Sequence, residues 1–307
     1  MKEVDVLCVG VTSYDFYFMV DHHPEPDEKS IADAFLSCGG GPAANAAVTI
    51  AKMGLSVAFT GYLGNDAWGD LHLQELKALG VLTDWIARGD NPTPISTVLV
   101  KPDGKRSLVN YRIHNAALGK NTIDLSDIKP KVILFDGHEP ALSMELLEYA
   151  KSENIKTVLD AGSVNPGTSL LFDKVDYLVC SEKFAEEITG FKDISKVSKE
   201  LFKLNQNTVI TLGEKGLVWK TKQGKGKLPS FSINAIDTTG AGDVFHGAFA
   251  GCLAMRMDWP EILKYSSAAA ALSCAKAGGR PSIPGIEEVK SFLANINTIP
   301  DNLNLKI

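Results

Sequence analysis

The stretch DTTGAGDVFHGAFAG, Asp237 to Gly251, sets a glycine-rich turn between two aspartates, directly before small and apolar residues at helical spacing. Backbone N–H groups at the start of a helix, together with the helix dipole, favour a bound anion. A carboxylate at Asp243 would repel that anion unless its task is proton abstraction. The stretch therefore indicates a base beside donors for a transferring phosphoryl group, which is a kinase-like arrangement. The alternative is an ordinary helix start in which Asp243 is a first-turn acid.

The composition is that of a globular protein without a nucleic-acid partner. The 307 residues are 45% apolar and 22% charged, and the net charge is −6, whereas nucleic-acid binding usually leaves a basic footprint. The N-terminus lacks the apolar core of a signal peptide, and no apolar run reaches about 18 residues, so we expect no membrane span. Scattered cysteines without a C-x-x-C pair indicate no disulfide framework and no zinc site, and hence a reduced, cytoplasmic protein. The five cysteines are Cys8, Cys38, Cys180, Cys252 and Cys274.

Short β-branched runs alternate with helical patterns, which predicts an α/β fold with a mainly parallel sheet covered on both faces. Two insertions, at about 12–37 and 94–115, alternate polar and apolar residues instead. The second contains a strong hairpin pattern at 97–113, turning at Pro102-Asp103-Gly104, and a basic run at 215–227 indicates another hairpin. We expect residues 1–307 to form one domain in which the insertions build a small β-sheet lid. The alternative is an antiparallel extension of the main sheet.

A second glycine-rich segment, Gly39 to Asn45, offers backbone donors and one amide side chain before a helical pattern. An amide both donates to and accepts from hydroxyl groups, which suits a polyol better than a phosphate. The rival interpretation is an NAD(P)-dependent oxidoreductase, because Gly39-x-Gly41-x-x-Ala44 matches a dinucleotide fingerprint. The first predicted strand, which ends at Gly10, lacks that fingerprint. The sequence contains neither a P-loop motif nor the protein-kinase motifs.

These segments, in this order, resemble the two signatures of the ribokinase-like (PfkB) carbohydrate kinases. The first signature corresponds to CGGGPAANAAVTIAKMG (38–54) with TGYLGNDAWG (60–69), and the second to DTTGAGDVFHGAFAG. The resemblance implies a three-layer ribokinase-like fold, ATP-dependent phosphorylation of a sugar hydroxyl, Mg²⁺, and a lid that can join two copies as a homodimer. A nucleoside kinase of the same fold is an alternative.

The resemblance also implies roles for individual residues. Asp243 is expected to be the catalytic base, and Gly240, Ala241 and Gly242 to form the anion hole with Thr239. Asp237, Thr239 and the loop 277–282 are expected to lie beside a monovalent cation such as K⁺. The expected sugar-binding residues are Asp15, Gly40, Gly41, Asn45, Glu139 and, from the lid hairpin, Arg112. The expected ATP-binding residues are Thr211, Gly213, Gly216, Thr239 and Ser267.

The chain departs from the family at several positions. The usual N-x-x-E motif, linked to Mg²⁺ and phosphate, falls at Ser181 to Phe184 and lacks both defining residues, so Glu186 is expected to substitute in part. This departure raises a third hypothesis, a sugar sensor that kept the fold and lost catalysis. Pro42 replaces the lysine of ribokinase, so the resemblance does not imply ribose as the substrate. Histidines are expected in ordinary structural roles, except His138 beside Glu139.

Overall fold

The computed structural model describes residues 2–113, 118–120 and 122–296. Its larger sheet is parallel from one edge through seven strands and ends in an antiparallel hairpin. Numbered along the chain and given in sheet order, the strands are β13 (Lys225–Leu228), β12 (Leu217–Lys220), β11 (Thr208–Thr211), β10 (Tyr177–Ser181), β9 (Lys156–Ala161), β8 (Ile128–Phe135), β1 (Lys2–Val9), β4 (Val57–Gly64) and β5 (Ile86–Gly89). The predicted parallel sheet and the hairpin at 215–227 are confirmed.

Helices cover both faces of this sheet because its strands are apolar on both sides. On β1, Val6 and Cys8 join one buried cluster and Leu7 and Val9 the other, as period-two alternation requires. The helices on the first face are α1 (Pro42–Lys52), α2 (Ala67–Ala78), α7 (Ala241–Ala254), α8 (Trp259–Ser273) and α9 (Ile286–Ile296). Those on the second are α3 (Pro140–Glu153), α4 (Pro166–Leu171), α5 (Glu182–Thr189) and α6 (Ile194–Leu204). The result is the predicted three-layer α/β fold.

The two insertions build a separate four-stranded sheet, so the lid interpretation is confirmed and the extension of the main sheet is wrong. Its order is β3 (Ala34–Gly40), β2 (Ser13–Met19), β6 (Ile95–Val100) and β7 (Arg106–Tyr111). β6 and β7 pair antiparallel, as the hairpin pattern predicted. His114 and Asn115, at the end of the second insertion, lie outside the described residues.

The lid sheet has two chemically different faces. Along β2, Asp15 and Tyr17 are buried against the rest of the molecule. Phe16 on the opposite face stacks with Phe35, which is 58% exposed, and meets the indole ring of Trp68 edge to face. Period-two alternation therefore gives the lid a polar inner face and an aromatic outer face.

The helix that follows α7 is shorter than the sequence predicted. The pattern extends to residue 277, but α8 ends at Ser273. The carbonyl of Cys274 accepts hydrogen bonds from the backbone N–H groups of Ile236 and Asp237, so tertiary contacts terminate the helix that local propensity would continue. No helix in the described part of the chain is both long and apolar enough to cross a membrane.

Candidate active site

The N-terminus of α7 forms the centre of the candidate site. Gly240 adopts φ 76°, which disfavours any residue with a side chain, and the helix begins at Ala241. Among the described residues no side chain caps this helix start, so its N–H groups remain available to an anion. Asp243 lies in the first turn and is partly buried. The predicted anion hole and the predicted base are therefore adjacent.

Burial and neighbouring carboxylates raise the pKa of Asp243 to about 7. Burial is the larger cause, and Asp160 and Asp136 add to it, whereas a hydrogen bond from Asn45 lowers the pKa. A base is most effective when its pKa lies near the working pH. A pKa near 7 is one that a group accepting a proton under neutral conditions would need.

Asn45, on α1, is hydrogen-bonded to both sides of the site. Its Nδ2 donates to Oδ2 of Asp243 at 2.8 Å, and its Oδ1 accepts from Nε of Arg280 at 3.2 Å. Arg280 is 2% exposed, donates to the carbonyl of Gly40, and lies 3.4 Å from the carboxylate of Glu75. Because an amide can be oriented only by its partners, the arginine fixes which end of Asn45 faces the base.

Two further carboxylates, Asp136 and Asp160, lie buried where β8 and β9 meet α7. Burial raises the pKa of both, and the pKa of Asp160 reaches about 8. Oδ2 of Asp136 accepts hydrogen bonds from the N–H groups of Val11 and Ala43, at 2.9 and 3.3 Å. Asp160 lies 3.3 Å from Nδ1 of His246, which also contacts the carbonyl of Gly242 at 2.6 Å. Asp160 therefore supports the first turn of α7 through His246, and Asp136 holds Val11 and the start of α1.

The predicted sugar-binding residues come from the lid, α1 and the end of β8. The carboxylate of Asp15 accepts from the hydroxyl of Ser13 at 2.6 Å and packs directly on Gly40, where a Cβ atom would collide with it. Gly41 precedes α1 and lies against the backbone of Val11 and Thr12, just before β2. Burial raises the pKa of Glu139 to about 7, and its carboxylate accepts from the N–H of Leu118.

Arg112 is exposed on the lid, and its Nη1 lies 3.1 Å from Nδ1 of His138. His138 directly precedes Glu139. The contact with His138 therefore brings Arg112 close to Glu139, a predicted sugar-binding residue.

A cavity of about 570 Å³ opens on the other side of the α7 N-terminus. Four predicted ATP-binding residues line it: Thr211, Gly213, Gly216 and Ser267. Ala241 and Gly242 form its inner end, and its walls are largely apolar, with Phe231, Ile233 and Ala271 among them. The volume and the mixture of apolar walls with few polar groups are typical of small-molecule sites. Thr239 does not line this cavity and instead faces the lid.

The segment before Gly240 is held by Asp237. Its Oδ1 accepts from the N–H and the hydroxyl of Thr239, at 2.9 and 2.6 Å, and its Oδ2 accepts from the N–H of Gly278 at 2.9 Å. The guanidinium of Arg106 lies 4.0 Å from Oδ1. Asp237 therefore joins the glycine-rich turn to the loop that contains Arg280.

The segment that replaces N-x-x-E has a structural use. The hydroxyl of Ser181 accepts from the N–H of Phe184 at 3.0 Å, capping α5, and donates to the carbonyl of Gly162 at 2.9 Å. Glu186 is partly buried on α5 and is not among the residues that line the described cavity. Its link to Mg²⁺ stays a prediction.

Sequence reasoning missed several residues that build the site. Arg280 was noted only as part of a loop, and the partners Glu75, Asp136 and Asp160 were not noted. Asp136 and Asp160 could have been found from the sequence, because both lie at or near the carboxyl ends of predicted parallel strands. Ligands bind at these ends of parallel sheets. For Arg280 no local signal existed, since its partner Asn45 is 235 positions away.

Comparison with known proteins agrees with this fold. A ribokinase from Bacillus subtilis (strain 168) is 28% identical over 295 residues, covering 94% of this chain and 99% of that protein. The structure of a Thermotoga maritima ribokinase matches with TM-score 0.85 and 32% identity over 95% of this chain and 100% of that one. The structure of an Arabidopsis thaliana ribokinase complexed with ribose and ATP matches with TM-score 0.83 and 25% identity, covering 95% of this chain and 99% of that chain.

A ribokinase-type fold with a carboxylate in the first turn of an uncapped helix indicates the class, that of small-molecule phosphotransferases. The sequence profile of the pfkB family carbohydrate kinases matches residues 4–286. The chain therefore belongs to the pfkB family of carbohydrate kinases, phosphotransferases with an alcohol group as acceptor.

The NAD(P) interpretation of Gly39 to Ala44 finds no support in the fold. The strand before this turn is β3, which pairs antiparallel with β2 in the lid sheet. A dinucleotide fingerprint requires a parallel strand of a βαβ unit before its glycines. The two matching glycines meet other needs here, because a Cβ atom at Gly39 would collide with Arg280 and Gly41 adopts φ 94° against the backbone of Val11 and Thr12.

Proposed function

We propose that the protein transfers the γ-phosphoryl group of ATP to a hydroxyl group of a sugar, with Asp243 as the general base. The main support for this proposal is the position of Asp243. It lies between the amide of Asn45 and the glycine-rich turn at the inner end of the 570 Å³ cavity, where we propose that the nucleotide binds. A hydroxyl held on the Asn45 side would face both a base and a transferring phosphoryl group. Residues 1–307 would act as one catalytic domain with the lid inserted in it.

In the proposed mechanism the sugar lies under the lid, with Asp15, Asn45 and Glu139 binding its hydroxyl groups. Asp243 accepts the proton of the reacting hydroxyl. The hydroxyl oxygen then bonds to the γ-phosphorus of ATP while the bond from that phosphorus to ADP breaks. The N–H groups of Gly240 to Gly242 stabilise the charge on the transferring group, which is where positioning and electrostatics contribute most.

Mg²⁺ fits this site only as a companion of ATP. Among the described residues no group of three His, Cys, Asp or Glu side chains is arranged to hold a metal ion. Mg²⁺ usually needs only one or two carboxylates besides the phosphates. When bound it would neutralise phosphate charge, and Glu186 is the residue we propose near it.

A monovalent cation fits poorly beside Asp237 and Thr239. Both carboxylate oxygens of Asp237 already accept hydrogen bonds, and the guanidinium of Arg106 is 4.0 Å from one of them. A further positive charge there would meet repulsion. No step of the mechanism therefore uses K⁺.

The aromatic outer face of the lid is the surface we propose for a homodimer. Phe35 is 58% exposed and Trp68 40% exposed, and both belong to the cluster around Phe16. Contiguous exposed aromatic groups mark interaction sites more often than isolated ones.

The five cysteines, which are all unpaired, fit a reduced compartment such as the cytoplasm.

The test compares Asp243→Asn with Asp173→Asn, which changes an exposed aspartate paired only with its neighbour Lys174. ADP release is measured with saturating MgATP and sugar, and the affinity for the ATP analogue AMP-PNP is measured by calorimetry. Loss of a general base typically costs about 10²–10⁴-fold in kcat, so Asp243→Asn should lose that much and keep its affinity for AMP-PNP. Near-normal turnover in Asp243→Asn would refute the assignment.

The substrate is identified by a panel of ribose, fructose, other ketoses, 2-keto-3-deoxygluconate and nucleosides. Turnover on a sugar alone supports the proposal, whereas turnover confined to nucleosides supports the nucleoside kinase. Sugar binding without ADP release would support the sensor hypothesis.

A further inference from the structure

The tip of the lid hairpin is seated on the segment that precedes the glycine-rich turn. Arg106 is the first residue of β7, and its Nη1 donates to the hydroxyls of Thr238 and Thr239, at 3.0 and 3.1 Å. At the hairpin turn, a Cβ atom on Gly104 would lie 3.2 Å from the carbonyl oxygen of Ile236. Arg106 therefore holds the lid tip on Thr238 and Thr239, and Gly104 lies close to the backbone of Ile236.

The guanidinium of Arg106 keeps donors free for a ligand. Its side chain is 31% exposed, and in the described part of the chain no hydrogen bond uses its Nε or Nη2. An arginine has five N–H donors in a planar fork that matches phosphate oxygens, so three donors are still available here.

The guanidinium of Arg106 lies at the border of the cavity that we propose binds the nucleotide. Thr238, one of its two hydroxyl partners, lines the cavity together with Ala241 and Gly242. The nearest carboxylate, that of Asp237, is 4.0 Å away and already accepts three hydrogen bonds from Thr239 and Gly278. The positive charge is therefore only partly compensated by the protein, and it lies one side chain away from the cavity, on the far side of the hydroxyl of Thr238.

We propose that Arg106 is a catalytic residue that contacts the terminal phosphates of ATP from the lid, an inference that rests on the proposed kinase function. The guanidinium stays protonated throughout and forms no covalent bond. It donates hydrogen bonds to phosphate oxygens whose negative charge changes during transfer, as charge-assisted bidentate bonds do.

This arrangement links the two substrates through one sheet. Asp15, proposed to bind the sugar, lies on β2 of the lid sheet, and Arg106 lies on β7 of the same sheet. Arg112, also proposed to bind the sugar, directly follows β7. One sheet therefore contains residues proposed to bind the sugar and the residue proposed to bind the phosphates.

The test uses Arg106→Gln and Arg106→Lys, with Lys105→Gln as the matched control. Lys105 is the neighbouring lid cation, and its partner is Asp103 within the hairpin. Affinity for AMP-PNP with Mg²⁺ is measured by calorimetry, and kcat and KM for ATP and for sugar by ADP release. Circular dichroism and thermal melting confirm that each variant is folded.

Loss of a hydrogen-bonded charged group costs about ten- to a hundredfold, so Arg106→Gln should lower kcat/KM for ATP by that factor and weaken AMP-PNP binding. Arg106→Lys should recover part of the loss, and Lys105→Gln should match the wild type. If folded Arg106→Gln changes only the KM for sugar, or nothing, the arginine merely latches the lid and the inference is wrong. An inactive wild-type protein would refute the kinase function itself. Independently of activity, an unchanged affinity of Arg106→Gln for AMP-PNP would refute the contact between Arg106 and the phosphates.

Discussion

Replacing Gly247 by alanine should separate the base from its partner without touching either. Gly247 lies on α7 where that helix crosses α1, and an added Cβ would sit 2.6 Å from the carbonyl oxygen of Ala46 and 2.8 Å from its Cα. Backbone atoms cannot rotate away, so the helices must part. Asn45 and Asp243, joined at 2.8 Å, lie directly beside this crossing.

The size of the effect follows from these distances. Restoring an ordinary contact of about 3.4 Å requires the helices to separate by about 0.8 Å. A bond of 2.8 Å between Asn45 and Asp243 would then lengthen beyond the normal limit of about 3.2 Å. Overpacking of this kind costs about 1–3 kcal/mol, and a displacement near 1 Å in a site costs up to about a hundredfold in rate. We expect kcat to fall about ten- to a hundredfold.

Gly251→Ala is the matched control, one turn further along α7. There the added Cβ meets the flexible end of the Met53 side chain at 2.8 Å, which can move aside. Both variants gain the same helix propensity of about 1 kcal/mol, so the gain cancels in the comparison. Urea unfolding and ADP release are measured for both. If Gly247→Ala is as stable and as active as Gly251→Ala, the close crossing does not position the base.

Four other outcomes follow from the site. Asp243 must be deprotonated to act, so kcat should rise with pH through an apparent pKa of about 7. Because the hydrogen bond from Asn45 lowers this pKa, Asn45→Ala should move the rise in kcat to higher pH. An unmoved rise would exclude Asn45 as a group that lowers the pKa of Asp243. Burial raises the pKa of Asp160 from 3.8 when unfolded to about 8 when folded, so its destabilisation grows as pH rises between these values. The melting temperature of Asp160→Asn should therefore exceed that of the wild type by more at pH 9 than at pH 5, and a constant difference would contradict the shift. Exchanging Na⁺ for K⁺ should leave kcat unchanged; strong activation by K⁺ would show that a cation binds despite Arg106. Phe35→Glu should yield monomers in sedimentation if the lid joins two copies, and unaltered dimers would place the interface elsewhere.

Much of the fold could be predicted because its causes are local. Strands that are apolar on both faces, helices that end at glycine, and hairpins with Asp-Gly or Gly-Lys turns each leave their pattern within about ten residues. The position of the proposed base was also predictable, since the glycine-rich turn and Asp243 belong to one helix start. The short edge strand β5 and the early end of α8 were not predicted, because neighbouring segments rather than local propensity decide them.

The network around the base could not be predicted. Asn45 could be singled out as a polar residue at a helix start, but nothing near it in sequence indicates that Arg280 orients its amide. The lid contact of Arg106 is likewise a relation between residues more than 130 positions apart. Such partners are determined by which elements the folded chain brings together.

The buried position of Arg280 also bears on the order in which the protein is built. Its contacts Asn45, Gly40 and Glu75 all belong to the first quarter of the chain, up to 240 positions earlier. During synthesis the N-terminal part emerges first, at about 5–20 residues per second. For many seconds Glu75 has no cationic partner and cannot be buried without cost. The surroundings of Asn45 and Gly40 are therefore completed only when the loop that contains Arg280 docks.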